Sequence, residues 1–339
     1  MMTTGLKSVA LILMIVIAYS SYAVHAEDNS IRDRYSHVVL SNGVVETTVF
    51  LPDAKNGFSR SVRYDWSGHT WDLTWNGHSY FLQRNEKYPL PLNQVHDPLF
   101  PHNGAGFASE FYANGKEDGC KTYLKVGIGH LDSGDSNIII DSGVWTIRRG
   151  KNLVEFIHSL EESCGYGYIY LKKMELTAGK PEMVISHSLR NTGTKAIRTQ
   201  QYIHNFFCID NEYSGRNYQL DLPFAPIFER VYPEKLAEKM NFEPYAVFRD
   251  NTLYFMKDIE KGNSLFAVFS GFDESLSHNH CIIRNTRTGA CVDISGDFSL
   301  WGNRFWAEAN SFCPELFIEI SVEPGETQSW KQVYTFFEE

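Results

Sequence analysis

Apolar and polar residues alternate with a period of two along most of the chain. The segment VVLSNGVVETTVFL at 38–51 places two such runs around Asn-Gly, which is the strongest short-range signal for a β-hairpin. The runs NLVEFIHSL, YGYIYLKKMELT, EMVISHSLRNTG and SLFAVFSGF are also rich in β-formers and are separated by Gly, Asn, Asp and Pro. The pattern therefore predicts many antiparallel strands.

The C-terminal segment continues this alternation on either side of a turn. Ile318, Ile320 and Val322 alternate with polar residues, EPGET follows, and SWKQVYTFF resumes the pattern, so we predict a terminal hairpin. The one convincing helical stretch is PEKLAEKM at 233–240, with Pro in the first turn and charges three and four residues apart. So many strands with almost no helix predict an all-β fold, a large antiparallel sandwich or barrel.

The N-terminal segment has the pattern of a secretory signal peptide. Lys7 precedes an apolar run from Val9 to Ala18, and Val24-His25-Ala26 resembles a cleavage site. The run is too short for a membrane-spanning helix, which needs about 20 apolar residues. The sequence predicts a signal peptide at 1–26, export to the periplasm or out of the cell, and one β domain at 27–339, because no linker or repeat divides that range.

Composition excludes some partners without identifying one. The 339-residue chain has a formal net charge of −10 and no basic run, which argues against nucleic acid and anionic membranes as partners. Aromatic residues make up 14% of the chain. They suit sugar binding, because aromatic faces stack on the C–H faces of pyranose rings, but composition alone favours an aromatic β core.

The cysteines allow a disulfide or buried thiols. Cys281 and Cys291 flank IIRNTRTGA, a predicted hairpin, and are candidates for a cross-strand disulfide in an exported protein. The alternative is that several of the six cysteines remain thiols inside a large core. His278, His280 and Cys281 cluster in SHNHC, but their spacing matches no zinc pattern, so we expect no metal site.

Two segments of the N-terminal half carry polar residues that a ligand could use. In FSRSVRYDWSG at 58–68, alternation would place Arg63 and Asp65 on one face as an ion pair, and a surface turn explains the segment equally well. In FPHNGAGFASEFY at 100–112, glycines follow His102, and Glu110 lies among aromatic residues. We expect such surroundings to raise the pKa of Glu110, which suits acid–base chemistry, although Glu110 could also face solvent.

Two segments of the C-terminal half are candidates of the same kind. In QYIHNFFCID at 201–210, alternation places Tyr202, His204 and Phe206 on one face and Ile203, Asn205 and Phe207 on the other. A single strand histidine is more often structural than catalytic, but aromatic neighbours strengthen the case for His204. In LWGNRFWAEANSFCPELFIEI at 300–320, Trp306 and Glu308 precede Pro314-Glu315 and could form the wall of a sugar pocket, with an ordinary polar loop as the alternative.

In this order, the segments resemble the galactose mutarotase-like (aldose 1-epimerase) superfamily. HNFF at 204–207, Glu308 ahead of Pro314-Glu315, and the PGE at 324–326 are similar to its motifs, and the likeness covers most of 27–339. The resemblance implies a β-supersandwich, exported here, that interconverts the α and β anomers of a sugar. HNGAG departs from the usual turn after the family histidine, which weakens the case for His102 as a second site histidine. The spacing from Glu308 to Pro314 is one residue longer than the family pattern, so Glu110 or Glu315 could replace Glu308 as the base.

The implied chemistry is acid–base catalysis of ring opening, with His204 as the acid and Glu308 as the base. The candidates for binding the sugar are Arg60, Asp65, His102, Glu110, Trp306 and Glu315. The partner is then a mono- or oligosaccharide, and no metal or organic cofactor is needed. The alternatives are a carbohydrate-binding protein of the same fold without activity and, third, a polysaccharide-degrading lyase or hydrolase.

Overall fold

The computed structural model describes residues 32–81, 105–116, 119–229 and 245–339. The predicted signal peptide at 1–26 and the helical pattern at 233–240 lie outside the described residues. Among the residues described, no helix is long and apolar enough to cross a membrane.

The described residues form β-strands joined by turns, with short 3₁₀ helices at Ile209–Asn211 and Leu276–His278. In chain order the strands are β1 His37–Ser41, β2 Val45–Phe50, β3 Thr70–Trp75, β4 His78–Ser79, β5 Phe107–Phe111, β6 Thr122–Lys125, β7 Gly129–Asp132, β8 Ile139–Asp141, β9 Val144–Arg149, β10 Leu153–Ser163, β11 Tyr166–Leu176, β12 Glu182–Asn191, β13 Ile197–Asn205, β14 Tyr218–Asp221, β15 Ile227–Glu229, β16 Ala246–Arg249, β17 Thr252–Phe255, β18 Ser264–Ser270, β19 His280–Asn285, β20 Ala290–Gly296, β21 Gly302–Glu308, β22 Ser311–Val322 and β23 Thr327–Glu338.

Two large antiparallel sheets form the body of the molecule. One has ten strands in the order β16-β17-β14-β19-β20-β23-β12-β11-β10-β9, and the other has six in the order β15-β18-β21-β22-β13-β5. Smaller sheets are β1-β2-β3-β4 and β6-β7-β8. One buried cluster joins side chains of both large sheets, such as Phe107 and Ile203 of the six-stranded sheet with Met174 and Tyr334 of the ten-stranded sheet. The prediction of an all-β antiparallel supersandwich is therefore confirmed.

The two predicted hairpins at the ends of the chain have different outcomes. The first is confirmed, because β1 pairs with β2 around a turn in which Gly43 has a φ of 83°, a conformation that favours glycine. The terminal hairpin is wrong. β22 pairs with β13 and β21 in the six-stranded sheet, whereas β23 pairs with β12 and β20 in the ten-stranded sheet. The turn after Val322 thus connects the two sheets of the sandwich.

The hairpin between the two candidate disulfide cysteines is also present, but its register keeps them apart. β19 and β20 pair so that Cys281 lies opposite Ile294, while Cys291 lies opposite Arg284. Because the two cysteines are not cross-strand neighbours, the predicted Cys281–Cys291 disulfide is not formed.

Candidate functional site

The register of the six-stranded sheet brings polar residues from distant segments into one row. β13 pairs with β5 so that Tyr202 lies opposite Glu110. Gln201 of β13 pairs with Ile318 of β22, and the same register, continued along both strands, brings His204 opposite Glu315. β22 then pairs with β21 so that Glu315 lies opposite Arg304. Strand pairing alone therefore collects an imidazole, two carboxylates and a guanidinium on one face.

The face carrying this row is the one opposite the sandwich core. Ile203 and Phe207 are buried in the main core between the sheets, and Asn205 accepts a hydrogen bond from Tyr334 there. Tyr202 and His204 point the other way, as the period of two predicts. The expected division of this strand into a structural face and a candidate functional face agrees with the structure.

His204 and Glu315 contact each other directly. The Nε2 atom of His204 lies 3.3 Å from Oε1 of Glu315, and both side chains are almost completely buried. The imidazole stacks on Phe206 at a centroid distance of 4.0 Å and meets the edges of Tyr64 and Trp306. Aromatic packing therefore fixes the histidine ring in position beside the carboxyl group.

Burial determines the protonation state of Glu315. Loss of solvent raises the pKa of Glu315 to about 8, assisted by the nearby Glu110 charge and opposed by Arg63 and Arg304. A carboxyl group with such a pKa can both hold and release a proton near neutral pH. Glu315 and His204 therefore form a pair between which protons can move.

Glu110 has the opposite character. Its Oε2 atom accepts hydrogen bonds from Arg63 Nε at 3.0 Å and from the Tyr202 hydroxyl, while Lys125 Nζ lies 3.6 Å from Oε1. Burial alone would raise the pKa of Glu110, but the charges of Lys125 and Arg63 outweigh it and lower that pKa. The expectation of a raised pKa for Glu110 is therefore wrong, and this carboxylate remains ionised.

These groups line a cavity of about 340 Å³ on the outer face of the sheet. Its lining residues are Arg63, Glu110, Tyr112, Tyr202, His204, Phe266, Arg304, Trp306, Glu315 and Phe317. The volume lies near the lower end of the range for small-molecule pockets, roughly 300–1,000 Å³, and the mixture of aromatic walls with a few convergent polar groups is typical of them.

The structure separates the residues predicted from sequence into two groups. His204, Glu110, Trp306 and Glu315 line the cavity. Glu308 does not; it lies at the end of β21, opposite Ser311 across the tight turn into β22 and opposite Ser264 of β18. The carboxyl group beside His204 is therefore Glu315, which corrects the expectation of Glu308.

Arg60 and Asp65 lie away from the cavity. The Arg60 guanidinium donates to the carbonyl oxygen of Lys55. Asp65 is fully buried and pairs with Lys172 at 3.2 Å instead of with Arg63, because the segment is an irregular turn and not a strand. His102 lies outside the described residues.

Sequence reasoning missed Arg304, Tyr112, Phe266 and Phe317. The signal for Arg304 was present, because it alternates with Trp306 along β21 and must share its face. The signal for the others is weak, since an aromatic residue in a strand is usually part of the core. Within the described parts of the chain, no group of three or more His, Cys, Asp or Glu side chains could hold a metal ion.

Comparison with known proteins supports the fold. No protein-family model and no curated protein matches the sequence. Solved structures do match: a galactose mutarotase related enzyme from Lactobacillus acidophilus has a TM-score of 0.56 at 10% identity, covering 89% of this chain and 98% of that one. A galactose mutarotase-like protein from Clostridium acetobutylicum has a TM-score of 0.56 at 12% identity, covering 90% and 96%. An aldose epimerase homologue from C. elegans has a TM-score of 0.55 at 11% identity, covering 90% and 99%. The chain has the galactose mutarotase-like fold.

Proposed function

We propose that the cavity binds a monosaccharide and interconverts its α and β anomers by acid–base chemistry. The observation that carries this proposal is the contact between His204 Nε2 and Glu315 Oε1 inside a cavity of sugar-binding size. The names of the proteins with similar folds, a galactose mutarotase related enzyme and an aldose epimerase homologue, support the same reaction class.

The close contact suits the geometry of the reaction. Opening a cyclic sugar requires a proton to leave the anomeric hydroxyl and another to reach the ring oxygen, and both oxygens are bonded to C1. A donor and an acceptor that lie side by side can therefore serve both. Glu315 accepts the proton of the anomeric hydroxyl, and His204 donates a proton to the ring oxygen as the bond between C1 and that oxygen breaks. Rotation about C1–C2 and the reverse proton transfers close the ring as the other anomer.

The number of protons that His204 and Glu315 hold together determines how the reaction rate depends on pH. The reactive form of the pair has one proton, on His204, with Glu315 ionised. Because the pKa of Glu315 is raised to about 8, this form is only part of the population near neutral pH. The pair has two protons in acid and none in base, and interacting groups titrate as a pair. The reaction rate should therefore pass through a maximum and fall at both ends of the pH range.

The surrounding groups hold the sugar without exchanging protons. Glu110 stays ionised under the charges of Arg63 and Lys125, so it can accept hydrogen bonds from sugar hydroxyls. Trp306 and Phe317 line the cavity, where their faces can stack on C–H groups of the ring.

The direct test follows the equilibration of freshly dissolved α-glucose and α-galactose by NMR. The wild-type protein should accelerate it above the buffer rate. Glu315→Gln and His204→Gln should each lower kcat by roughly 10²–10⁴-fold, the usual contribution of one acid or base. Glu308→Gln, which changes a carboxylate outside the cavity, is the matched control and should retain activity.

Two results would contradict the proposal. One is no acceleration with any common aldose or hexuronic acid, and the other is full activity in His204→Gln. A change in tryptophan fluorescence on adding a sugar, without any interconversion, would instead show a carbohydrate-binding protein without activity.

We also propose that the reaction takes place outside the cytoplasm, because the sequence has a signal-peptide pattern at 1–26. Cleavage after Ala26 would make Glu27 the first residue of the exported protein. Mass spectrometry of protein from the exported and cytoplasmic fractions measures this directly, and an intact N-terminus in the exported fraction would refute it.

A further inference from the structure

The cavity contains a guanidinium that the acid–base chemistry does not use. The Cζ atom of Arg304 lies 4.3 Å from the centroid of the Phe317 ring, and its Nη1 atom donates to the Tyr112 hydroxyl at 2.8 Å. Stacking on the ring and this hydrogen bond hold the planar group in place. Because a guanidinium has five N–H donors, several remain for a ligand.

Arg304 differs from the other nearby cations in its pairing. Arg63 and Lys125 both lie beside Glu110, whose charge they share. Glu315, directly across the strand pair from Arg304, contacts His204 instead. Among the residues that the structure describes, no carboxylate lies within ion-pairing distance of Arg304.

This arrangement is unusual in an acidic chain with a formal net charge of −10. A partly buried cation is costly unless an anion compensates it, and the chain has ample carboxylates to supply one. A planar guanidinium matches a carboxylate through two parallel hydrogen bonds, so a held but unpaired Arg304 is suited to an anion that arrives with the ligand.

We propose that the sugar bound in this cavity carries one negative charge, the carboxylate of a hexuronic acid, and that Arg304 binds it. The inference rests on the proposed function, because it assigns the substrate class of the same cavity. The planar fork of Arg304 matches a carboxylate through two parallel hydrogen bonds, and a carboxylate adds less volume to a sugar than a phosphate monoester does, which suits a cavity of about 340 Å³. Arg304 therefore determines which sugars are selected, while His204 and Glu315 carry out the proton transfers.

The test compares anomer interconversion of glucuronate and galacturonate with glucose, galactose and glucose 6-phosphate, by NMR exchange spectroscopy on the wild-type protein. We expect kcat/KM for at least one hexuronate to exceed that of its neutral counterpart by on the order of tenfold to a hundredfold, the value of a charge-assisted hydrogen bond. Added salt should weaken this preference, because it screens charges that are partly exposed.

Variants of Arg304 connect the preference to this residue. Arg304→Gln should reduce the ratio of hexuronate to neutral-sugar kcat/KM to about one, mainly by raising KM for the hexuronate. Arg304→Lys keeps the charge but loses the planar fork, so it should give an intermediate ratio. Arg148→Gln is the matched control; it removes the same charge from a guanidinium that is 67% exposed on β9, and should leave the ratio unchanged.

The outcomes separate this inference from the proposed function. Equal kcat/KM for glucose and glucuronate, an unchanged ratio in Arg304→Gln, or a preference for glucose 6-phosphate would overturn the assignment of a singly charged substrate while leaving the mutarotase function intact. Tight binding of a hexuronate that depends on Arg304, with no interconversion of any sugar, would support the inference and refute the mutarotase function.

Discussion

Two ion-paired clusters lie on opposite sides of strand β5, and they differ in how far their charged groups are paired within the protein. On the outer side, Glu110 faces the cavity together with Arg63, and Lys125 pairs with the same carboxylate. On the inner side, its neighbour Ser109 accepts a hydrogen bond from Lys172, which pairs with Asp65. We call these the cavity cluster, which also includes His204, Arg304 and Glu315, and the sealed cluster, which consists of Asp65, Ser67, Ser109, Tyr170, Lys172 and His187.

The ion pair of the sealed cluster is fully hydrogen-bonded without a ligand. Lys172 has no exposed surface, and its three N–H groups have three acceptors: Asp65 Oδ2 at 3.2 Å, the Ser67 carbonyl oxygen at 2.8 Å and Ser109 Oγ at 3.0 Å. The Tyr170 hydroxyl donates to Asp65 Oδ2 and shares a second hydrogen bond with His187 Nδ1, 2.8 Å away. In the cavity cluster, by contrast, Glu315 has a raised pKa and Arg304 lacks a carboxylate partner among the described residues. The comparison indicates that the sealed cluster stabilises the fold, and that the cavity cluster is arranged for a ligand.

The largest expected effect is on the sealed cluster. Lys172→Met leaves the buried Asp65 carboxylate without a compensating charge, so it should lower the free energy of unfolding by about 3–5 kcal/mol. Urea denaturation followed by circular dichroism measures this. The double variant Asp65→Leu/Lys172→Met removes both charges and should recover much of the loss. A double variant as unstable as the single one would show that the pair does not act through charge compensation.

Glu315→Gln should change the pH dependence of stability. The folded pKa of Glu315 is about 8, above its unfolded value of about 4.5, so the folded wild type binds more protons between these values. Stability should therefore fall as pH rises through this window, with a slope approaching roughly 1.4 kcal/mol per pH unit. Relative to the wild type, Glu315→Gln should become more stable between pH 5.5 and pH 7.5 as this slope disappears. Parallel stability curves for the two proteins would contradict the raised pKa.

Arg63→Gln should shift the pH–rate profile of the cavity cluster. The Arg63 charge lowers the pKa values of Glu110 and Glu315, so its loss raises both. The acid limb of the kcat profile should move to higher pH by roughly one unit, within the range that a neighbouring charge produces. Arg63→Lys keeps the charge and should move the limb less. An acid limb that stays in place in Arg63→Gln would exclude Glu315 as the titrating group.

The smallest effect should come from Glu308→Gln. Glu308 is half-buried at the end of β21 and outside the cavity, so stability should change by no more than about 1 kcal/mol, the typical effect of a single substitution. The rate of anomer interconversion should stay within about twofold of the wild type. A loss of activity as large as in Glu315→Gln would restore Glu308 as the base.

The amino-acid sequence by itself determined the strands and which side of each strand faces the core. The period of two predicted β10, β11, β12 and β13. It also placed the side chains of His204 and Asn205 on opposite faces of β13, because successive side chains of a strand point to opposite faces. The same alternation would have located Arg304 beside Trp306.

Only the tertiary structure decided which strands are neighbours and in what register. The choice between Glu308 and Glu315 depends on the turn between β21 and β22, which pairs Glu308 with Ser311 and brings Glu315 opposite Arg304. The partner of Asp65 depends on the position of its segment beside β5, where Asp65 N donates to the Ser109 carbonyl oxygen and the side chain reaches Lys172 of the other large sheet. In the same way, a turn such as EPGET can join two strands of one sheet or strands of two different sheets. Alternation is a local property of the backbone, whereas register and sheet order come from contacts between residues far apart in the chain.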